Sequence, residues 1–318
     1  MNKKNYFICR SKCPVCNSDK IKSIYTNKFT ESPIKEYLEV FYSTQGKIEF
    51  KYLKDKDFVL ELCLNCKTIF QKYIPNSFLM KKLYDEWISP EEIYKREVKI
   101  RNFDKQSNYA SEIIMLINYF NKSPEKLKFL DFGMGWSNWC IIAKAFGCDV
   151  YGVELSKPRI KYAKSIGIKI ISYKEIHKYK FDFINTDQVF EHISNPLETI
   201  KYLRKSINKN GLIRISVPNG NNVLKKIKKL DWTPPNWKNS NATNPSPISP
   251  LEHINCYTTK SLILMAEKIK LKKVNIPLHI QYVSMTNLNT IKKVAKYFIK
   301  PLYSNYVNKT TNIFFEKD

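Results

Sequence analysis

The chain predicts a doubly wound α/β domain with a mostly parallel sheet, preceded by a small cysteine-bound module. Three observations carry this. Between residues 127 and 219, short apolar runs alternate with stretches of helical spacing. Within that region Phe129-Leu130-Asp131-Phe132-Gly133-Met134-Gly135 reads as a buried strand entering a glycine turn, and Glu154 closes the next strand roughly 20 residues on. Near the start stand two C-x-x-C pairs, Cys13-Pro14-Val15-Cys16 and Cys63-Leu64-Asn65-Cys66.

The chain has 318 residues, 43% of them hydrophobic, which suffices for one large or two smaller domains. Its net charge of +25 would suggest nucleic acid or an anionic surface, yet only six of the 54 basic residues are Arg. Nucleic-acid readers favour Arg for bidentate contacts, so most of this charge reads as a Lys-rich solvated surface. No apolar run reaches the ~18 residues of a membrane span, and Met1-Asn2-Lys3-Lys4-Asn5-Tyr6 leads into no signal-peptide core. The expected location is the cytoplasm.

In chain order, the cysteine pairs come first. A C-x-x-C turn aims two thiolates at one ion, and two turns complete a tetrahedral set, so Cys13, Cys16, Cys63 and Cys66 are expected to share one structural zinc. Residues 27–57 must then loop or hairpin out between the two pairs, and strands are expected at 58–62 and 68–71, just before and just after the second pair. Cys140, Cys148 and Cys256 are isolated and read as small buried apolar residues. A short helix is expected at 76–87 and a longer amphipathic one at 91–120, with Pro124 marking the break before the first strand of the sheet.

The glycine turn after Asp131 lacks the G-x-G-x-x-G of a dinucleotide site and the Gly-Lys-Ser/Thr of a P-loop, which disfavours phosphate. Glu154, placed to take ribose hydroxyls, points instead to another nucleoside-bearing cofactor. Beyond it the expectation is helix 157–166, strand 169–172, strand 181–186, helix 195–207 and strand 212–217, with Gly211 as the C-terminal glycine of the second helix. Right-handed crossovers then make the sheet parallel and place the site at the carboxyl ends of its strands, among Gly133, Gly135, Glu154, Ser172, Asp187 and Gln188. Residues 219–258 change character, with Trp232-Thr233-Pro234-Pro235-Asn236-Trp237 read as part of a substrate loop. A helix at 260–268, a strand at 274–283, an amphipathic helix through 299 and a strand at 311–316 complete the pattern.

Asp131-x-Gly133-x-Gly135-x-Ser137 resembles the first motif of class I S-adenosylmethionine-dependent methyltransferases. The segment from Phe181 through Asp187-Gln188 to His192 resembles their fourth-strand motif, and Ile215-Ser216-Val217-Pro218-Asn219 their fifth. The resemblance implies a Rossmann-like seven-stranded sheet ending in one antiparallel strand. It implies that the turn of Asp131, Gly133, Gly135 and Ser137 wraps the methionine part of the cofactor, that Glu154 binds the ribose with Leu155 against the adenine, and that Asp187 and Gln188 join them. Ser172-Tyr173 replaces the acid this family often has after its third strand.

The cysteine module ahead of that domain is similar to a bacterial subfamily that includes sugar methyltransferases. In zinc-bearing sugar C-methyltransferases a Tyr-x-Glu-His run sits in the active site; Glu252 and His253 match it, with Pro250 in place of the Tyr. This implies His253 as the base and Glu252 as its partner, acting on a sugar or nucleotide sugar of a surface glycan. Two other readings are an RNA methyltransferase holding nucleic acid with its zinc module and basic face, and a non-catalytic scaffold. The expected layout is a zinc-binding module at 1–75, a helical connector or lid at 76–124, and the methyltransferase domain at 125–318 with a substrate loop at about 219–258.

Overall fold

A computed structural model of the chain describes residues 5–43, 46–99, 102–227, 232, 247–286, 290, 294–295, 299 and 310–318. It opens with strands β1 (Phe7–Cys9) and β2 (Ile21–Lys28), helix α1 (Ile34–Ser43), and strands β3 (Asp57–Cys63), β4 (Ile69–Gln71) and β5 (Tyr73–Pro75). Helix α2 (Ser77–Lys82) is capped by Asn76, whose side chain accepts from the Leu79 N–H, and runs into one π turn at Leu83–Trp87 before α3 (Pro90–Lys99).

The second half of the architecture begins with α4 (Phe103–Phe120), capped by Asn102 and ended by Asn121 in the left-handed region. Strand β6 (Lys128–Phe132), α5 (Asn138–Ala145), β7 (Asp149–Val153), α6 (Lys157–Ser165), β8 (Lys169–Ile170), β9 (Phe181–Asp187), α7 (Pro196–Lys205) and β10 (Ile207–Pro218) alternate as the sequence predicts. Then come α8 (Val223–Lys226), β11 (Asn255–Cys256), α9 (Thr259–Glu267), β12 (Leu271–Val274), α10 (Leu278–Val283) and β13 (Thr310–Lys317).

These elements form two compact units. One comprises Met1–Ile93, Phe190–Thr199 and Val217–Lys268; the other comprises Tyr94–Val189, Ile200–Ser216 and Ile269–Asp318. The second unit holds the expected seven-stranded sheet, in the order β12-β13-β10-β9-β6-β7-β8. Strands β10, β9, β6, β7 and β8 pair in parallel, and β12 pairs with β13 antiparallel. Central strands covered on both faces read as continuous apolar runs, and β6 and β9 are buried almost throughout. Phe129, Trp139 and Phe183 form the middle of this core, with ring centroids 5.7–5.9 Å apart.

The first unit is built on a sheet of order β11-β4-β3-β2. Its outermost strand, β11, comes from about 190 residues downstream of its partner β4. Arg10 pins the pieces together: its guanidinium donates to the carbonyls of Gln71 (2.6 and 2.9 Å) and Ile254 (2.7 Å) and to Asn255 Oδ1 (2.7 Å). Trp232 adds a second tie, buried among Tyr25, Tyr37 and Phe58 at centroid distances of 5.2, 6.0 and 5.3 Å.

Three details depart from the sequence expectation. The helix expected at 91–120 is two helices, because Asn102 caps a fresh start for α4. Gly211 does not end a helix: α7 stops at Lys205, and Gly211 lies in β10 at a register irregularity, where a Cβ would stand 2.9 Å from the Phe181 and Asp182 carbonyl oxygens. The strand expected at 274–283 ends at Val274, since Pro277 starts helix α10. Most of the amphipathic helix through 299, and the Pro234–Trp237 part of the substrate loop, lie outside the described residues.

Candidate functional site

In the second unit the chain leaves β6 through Gly133 (φ 79°), Gly135 (φ 54°) and Ser137 (φ 60°) before α5 begins. The two glycines are needed for different reasons. At Gly133 a Cβ would lie 2.5 Å from Val189 Cγ2, so the backbone is in contact with a neighbour. At Gly135 a Cβ would meet nothing within 4 Å, so the turn faces open space on that side. Gly152 of β7 is closed in the manner of Gly133, with Met134 Sδ at 2.2 Å from the position of a Cβ.

Glu154, just past β7, is bound into the same turn. Its carboxylate accepts from the N–H groups of Gly135 (3.1 Å), Leu155 (2.8 Å) and Ser156 (3.0 Å), with Arg159 Nη1 at 3.5 Å. The side chain is 10% exposed, and Leu155 beside it is 90% exposed, an apolar surface left largely bare among the described residues. Ser137 is fully buried with its hydroxyl on Met134 Sδ (3.5 Å), so its contribution is the shape of the turn. Asp131 lies beneath the turn, accepting from Asn185 Nδ2 (2.8 Å) and Cys140 Sγ (3.4 Å), and burial pushes its carboxyl up to about 7.

At the carboxyl end of β9, Asp187 Oδ2 stands 3.8 Å from Arg214 Nη2. Gln188 is held at φ 55° by its N–H, which donates to the Ser216 carbonyl (2.8 Å). Both polar atoms of its side-chain amide are buried without a hydrogen-bond partner among the described residues. A buried, unpartnered amide costs roughly 1–3 kcal/mol and suits a position that a polar ligand completes. Together with the open face at Gly135, it makes the residues of this edge a fit for a small polar cofactor.

In the first unit the four predicted cysteines converge. Cys13 Sγ lies 3.5 Å from Cys66 Sγ, and Cys16 Sγ 3.5 Å from Cys63 Sγ; all four are buried and mutually within 4.8 Å. Tetrahedral thiolates about 2.3 Å from one zinc would be roughly 3.8 Å apart, so the donor set fits that ion. The two knuckles also share a backbone form: the residue after each pair, Asn17 and Lys67, takes φ 60° and 62° and donates back to the first cysteine's carbonyl.

Glu252 and His253 belong to this unit as well, where they meet a second Glu-His pair, Glu191-His192. The two imidazoles stand edge to face with centroids 4.8 Å apart. His192 Nδ1 is 3.0 Å from the Glu252 carbonyl and 3.2 Å from Tyr84 Oη. A carbonyl can only accept, so Nδ1 carries a proton, and Nε2 lies 4.0 Å from Glu191 Oε1. The Glu252 carboxylate is taken by Tyr42 Oη at 2.8 Å, and burial, reinforced by that carboxylate, raises Tyr42 well above the usual phenol range. His253 is fixed through its backbone, donating to the Ser249 carbonyl and accepting from Gln71 Nε2 (both 3.1 Å).

The sequence marks His192 only as the end of the segment that resembles the fourth-strand motif, and assigns no part to Tyr42, Tyr84 or Glu191. The repeated Glu-His dipeptide was the signal that could have linked 191–192 to 252–253.

The profile of a family described as a methyltransferase domain matches residues 105–276. The ubiquinone biosynthesis O-methyltransferase of Pelagibacter ubique (strain HTCC1062) is 28% identical over 151 residues, which are 43% of this chain and 62% of that protein. Among solved structures, the plantazolicin methyltransferase BpumL in complex with SAH overlays 75% of this chain and 93% of its own at 15% identity and a TM-score of 0.45. A SAM-dependent methyltransferase from Archaeoglobus fulgidus overlays 76% and 99% at 13% identity and a TM-score of 0.38. No described helix is long and apolar enough to cross a membrane.

Proposed function

The chain belongs to the methyltransferase-domain family matched over residues 105–276, and on that premise we propose that it binds S-adenosylmethionine at the turn after β6 and methylates a small acceptor of the sugar or nucleotide-sugar type. The observation that carries the cofactor reading is the edge where the open face at Gly135, the Glu154 carboxylate and the unpartnered Gln188 amide lie on neighbouring strand ends. When bound, the cofactor supplies an electrophilic methyl group on a sulfonium. What remains for the protein is to hold and align the donor and acceptor and to take up the acceptor's proton.

Each residue has a stated part. Gly133, Gly135 and Ser137 shape the turn around the methionine portion, with Asp131 as the anionic group beneath it. Glu154 has lone pairs left for ribose hydroxyls, Leu155 offers an apolar face to the adenine, and Asp187 and Gln188 take polar groups at the mouth of β9. His253 receives the acceptor's proton. Glu252, bonded to Tyr42 and through its carbonyl to His192, fixes the loop that carries His253. A zinc ion would be held by Cys13, Cys16, Cys63 and Cys66, a closed set of four thiolates that leaves no position for water, so its part is to hold the module's fold. The acceptor class rests on the likeness of this cysteine module and Glu-His pair to sugar methyltransferases.

The test is calorimetry of S-adenosylhomocysteine with the wild-type chain and with Glu154→Ala, followed by methyl transfer from labelled S-adenosylmethionine to a panel of nucleotide sugars. Charge-assisted hydrogen bonds are worth roughly 1.5–3 kcal/mol, so Glu154→Ala is expected to bind at least about 10-fold more weakly. Equal affinity in the variant would refute the ribose assignment. Label passing to RNA or peptide and to none of the sugars would refute the acceptor.

A further inference from the structure

Three neighbouring parallel strands carry polar residues on one row. Arg214 of β10 is the register partner of Asn185 of β9, and Asn185 is that of Asp131 of β6. The row lies two residues before Gly133. Buried to 4%, 1% and 3% exposure, these three side chains form one chain of hydrogen bonds. Arg214 Nε donates to Asn185 Oδ1 at 2.9 Å, and Asn185 Nδ2 donates to Asp131 Oδ1 at 2.8 Å.

The direction of that chain is set from one end. A guanidinium can only donate, so Arg214 fixes which end of the Asn185 amide is the oxygen, and the amide must then present its N–H to Asp131. Asp131 is thereby required to accept. Arg214 is in turn shared, because its Nη1 donates to Glu112 Oε2 of α4 and its Nη2 faces Asp187. Glu112 is itself held by Trp139 Nε1 of α5, which donates to Oε1 at 2.8 Å.

We propose that Arg214 is a positioning residue for the cofactor site: through Asn185 it holds the Asp131 carboxylate in its accepting orientation beneath the turn, and Glu112 sets how much of its charge Asp131 feels. This rests on reading the turn as the S-adenosylmethionine site. The methionine portion of that cofactor carries an ammonium group, and a buried carboxylate under the turn attracts it strongly. Burial, and secondarily Asp187, raise the Asp131 carboxyl, while the hydrogen bonds from Cys140 and Asn185 and the charge of Arg214 lower it. The other titratable groups facing the row stay neutral: burial raises both Cys140 and Tyr109 well above their ordinary ranges.

The experiment is S-adenosylhomocysteine affinity measured from about pH 5.5 to 8.5 for the wild type and three variants. Wild-type affinity is expected to rise through about pH 7 and level off, as Asp131 loses its proton. Arg214→Met is expected to move that rise upward by about one pH unit, weakening binding about fivefold at pH 7. Arg214→Lys, which keeps the charge, should recover part of the displacement. Glu112→Gln removes a competing charge and keeps one acceptor oxygen, and so one of the two hydrogen bonds that the carboxylate takes from Trp139 Nε1 and Arg214 Nη1; its rise should move downward.

Opposite displacements from two neighbours are not what a merely structural network would give, since lost packing lowers thermal stability and leaves the midpoint in place. Unmoved midpoints in Arg214→Met and Glu112→Gln would overturn the proposal. If Arg214→Met does not fold, Glu112→Gln decides alone, and a midpoint that stays or moves upward overturns it. Absence of wild-type binding at every pH would remove the reading of the turn itself, and this proposal with it.

Discussion

The two glycines of the turn after β6 give a paired prediction in which one added methyl group has different consequences two residues apart. Gly133→Ala places an L residue at φ 79° and drives its Cβ to 2.5 Å from Val189 Cγ2 and 3.3 Å from Cγ1. Because both valine methyls crowd the same spot, rotating the valine side chain gives little relief. The left-handed backbone costs roughly 1–2 kcal/mol and the overpacking roughly 1–3 more, so a loss of about 2–5 kcal/mol in folding stability is expected. Gly135→Ala, at φ 54°, meets nothing within 4 Å and keeps the N–H that donates to Glu154. Its stability cost is only the backbone part, about 1–2 kcal/mol. Its methyl group, however, enters the space assigned to the cofactor, so S-adenosylhomocysteine affinity should fall at least about tenfold in a protein that remains folded. Urea unfolding followed by circular dichroism measures the first quantity, and calorimetry the second. Wild-type affinity in Gly135→Ala would show that the cofactor does not use the open side of the turn. A Gly133→Ala protein as stable as Gly135→Ala would show that Val189 does not press on it.

The remaining predictions concern the first unit. Protein purified without chelator should contain about one zinc per chain by elemental analysis, and Cys63→Ala should lose both the metal and the thermal stability of the module. A metal-free preparation that unfolds at the wild-type temperature would rule this out. His253→Ala should keep S-adenosylhomocysteine affinity near wild type while turnover falls roughly 10²–10⁴-fold, and the limb of the pH–rate profile that falls toward acid should vanish with it. Near-normal turnover in the folded variant would take His253 out of the proton transfer.

Sequence patterns revealed most clearly those features that depend on neighbours along the chain. The strand-turn-helix around Gly133, the strand closing at Glu154 and the paired knuckles at Cys13 and Cys63 each carry their signal within a few residues. Gly211 misled because a glycine after a helical run has two physical meanings: a left-handed C-cap, or a place where another backbone comes close. Only the neighbouring Phe181 and Asp182 carbonyls decide between them. The 274–283 stretch misled because its apolar residues suit a strand, while Pro277 favours a helix start that the pattern alone does not weigh. The company of His253 was the least legible. His192 meets its ring from 61 positions away, Tyr42 bonds Glu252 from 210 positions away and Tyr84 bonds His192 from 108, and no local periodicity encodes contacts of that span.

The first unit's construction from three separated stretches has a consequence for the order in which it can be completed during synthesis. Its cysteine knuckles are made early, yet strand β11 and the buried Val223, Ile227, Trp232, Ile248, Leu251 and Cys256 come from the far side of the sheet-forming region. Until they emerge, β4 has an unpaired edge and the apolar face of α1, β2 and β3 stays partly uncovered. Such surfaces invite association with other chains. An early-captured metal would hold Cys13, Cys16, Cys63 and Cys66 in register through that interval. The first stretch to be translated is then sealed only about 190 residues later, and a ribosome pause or truncation before residue 256 would leave it exposed.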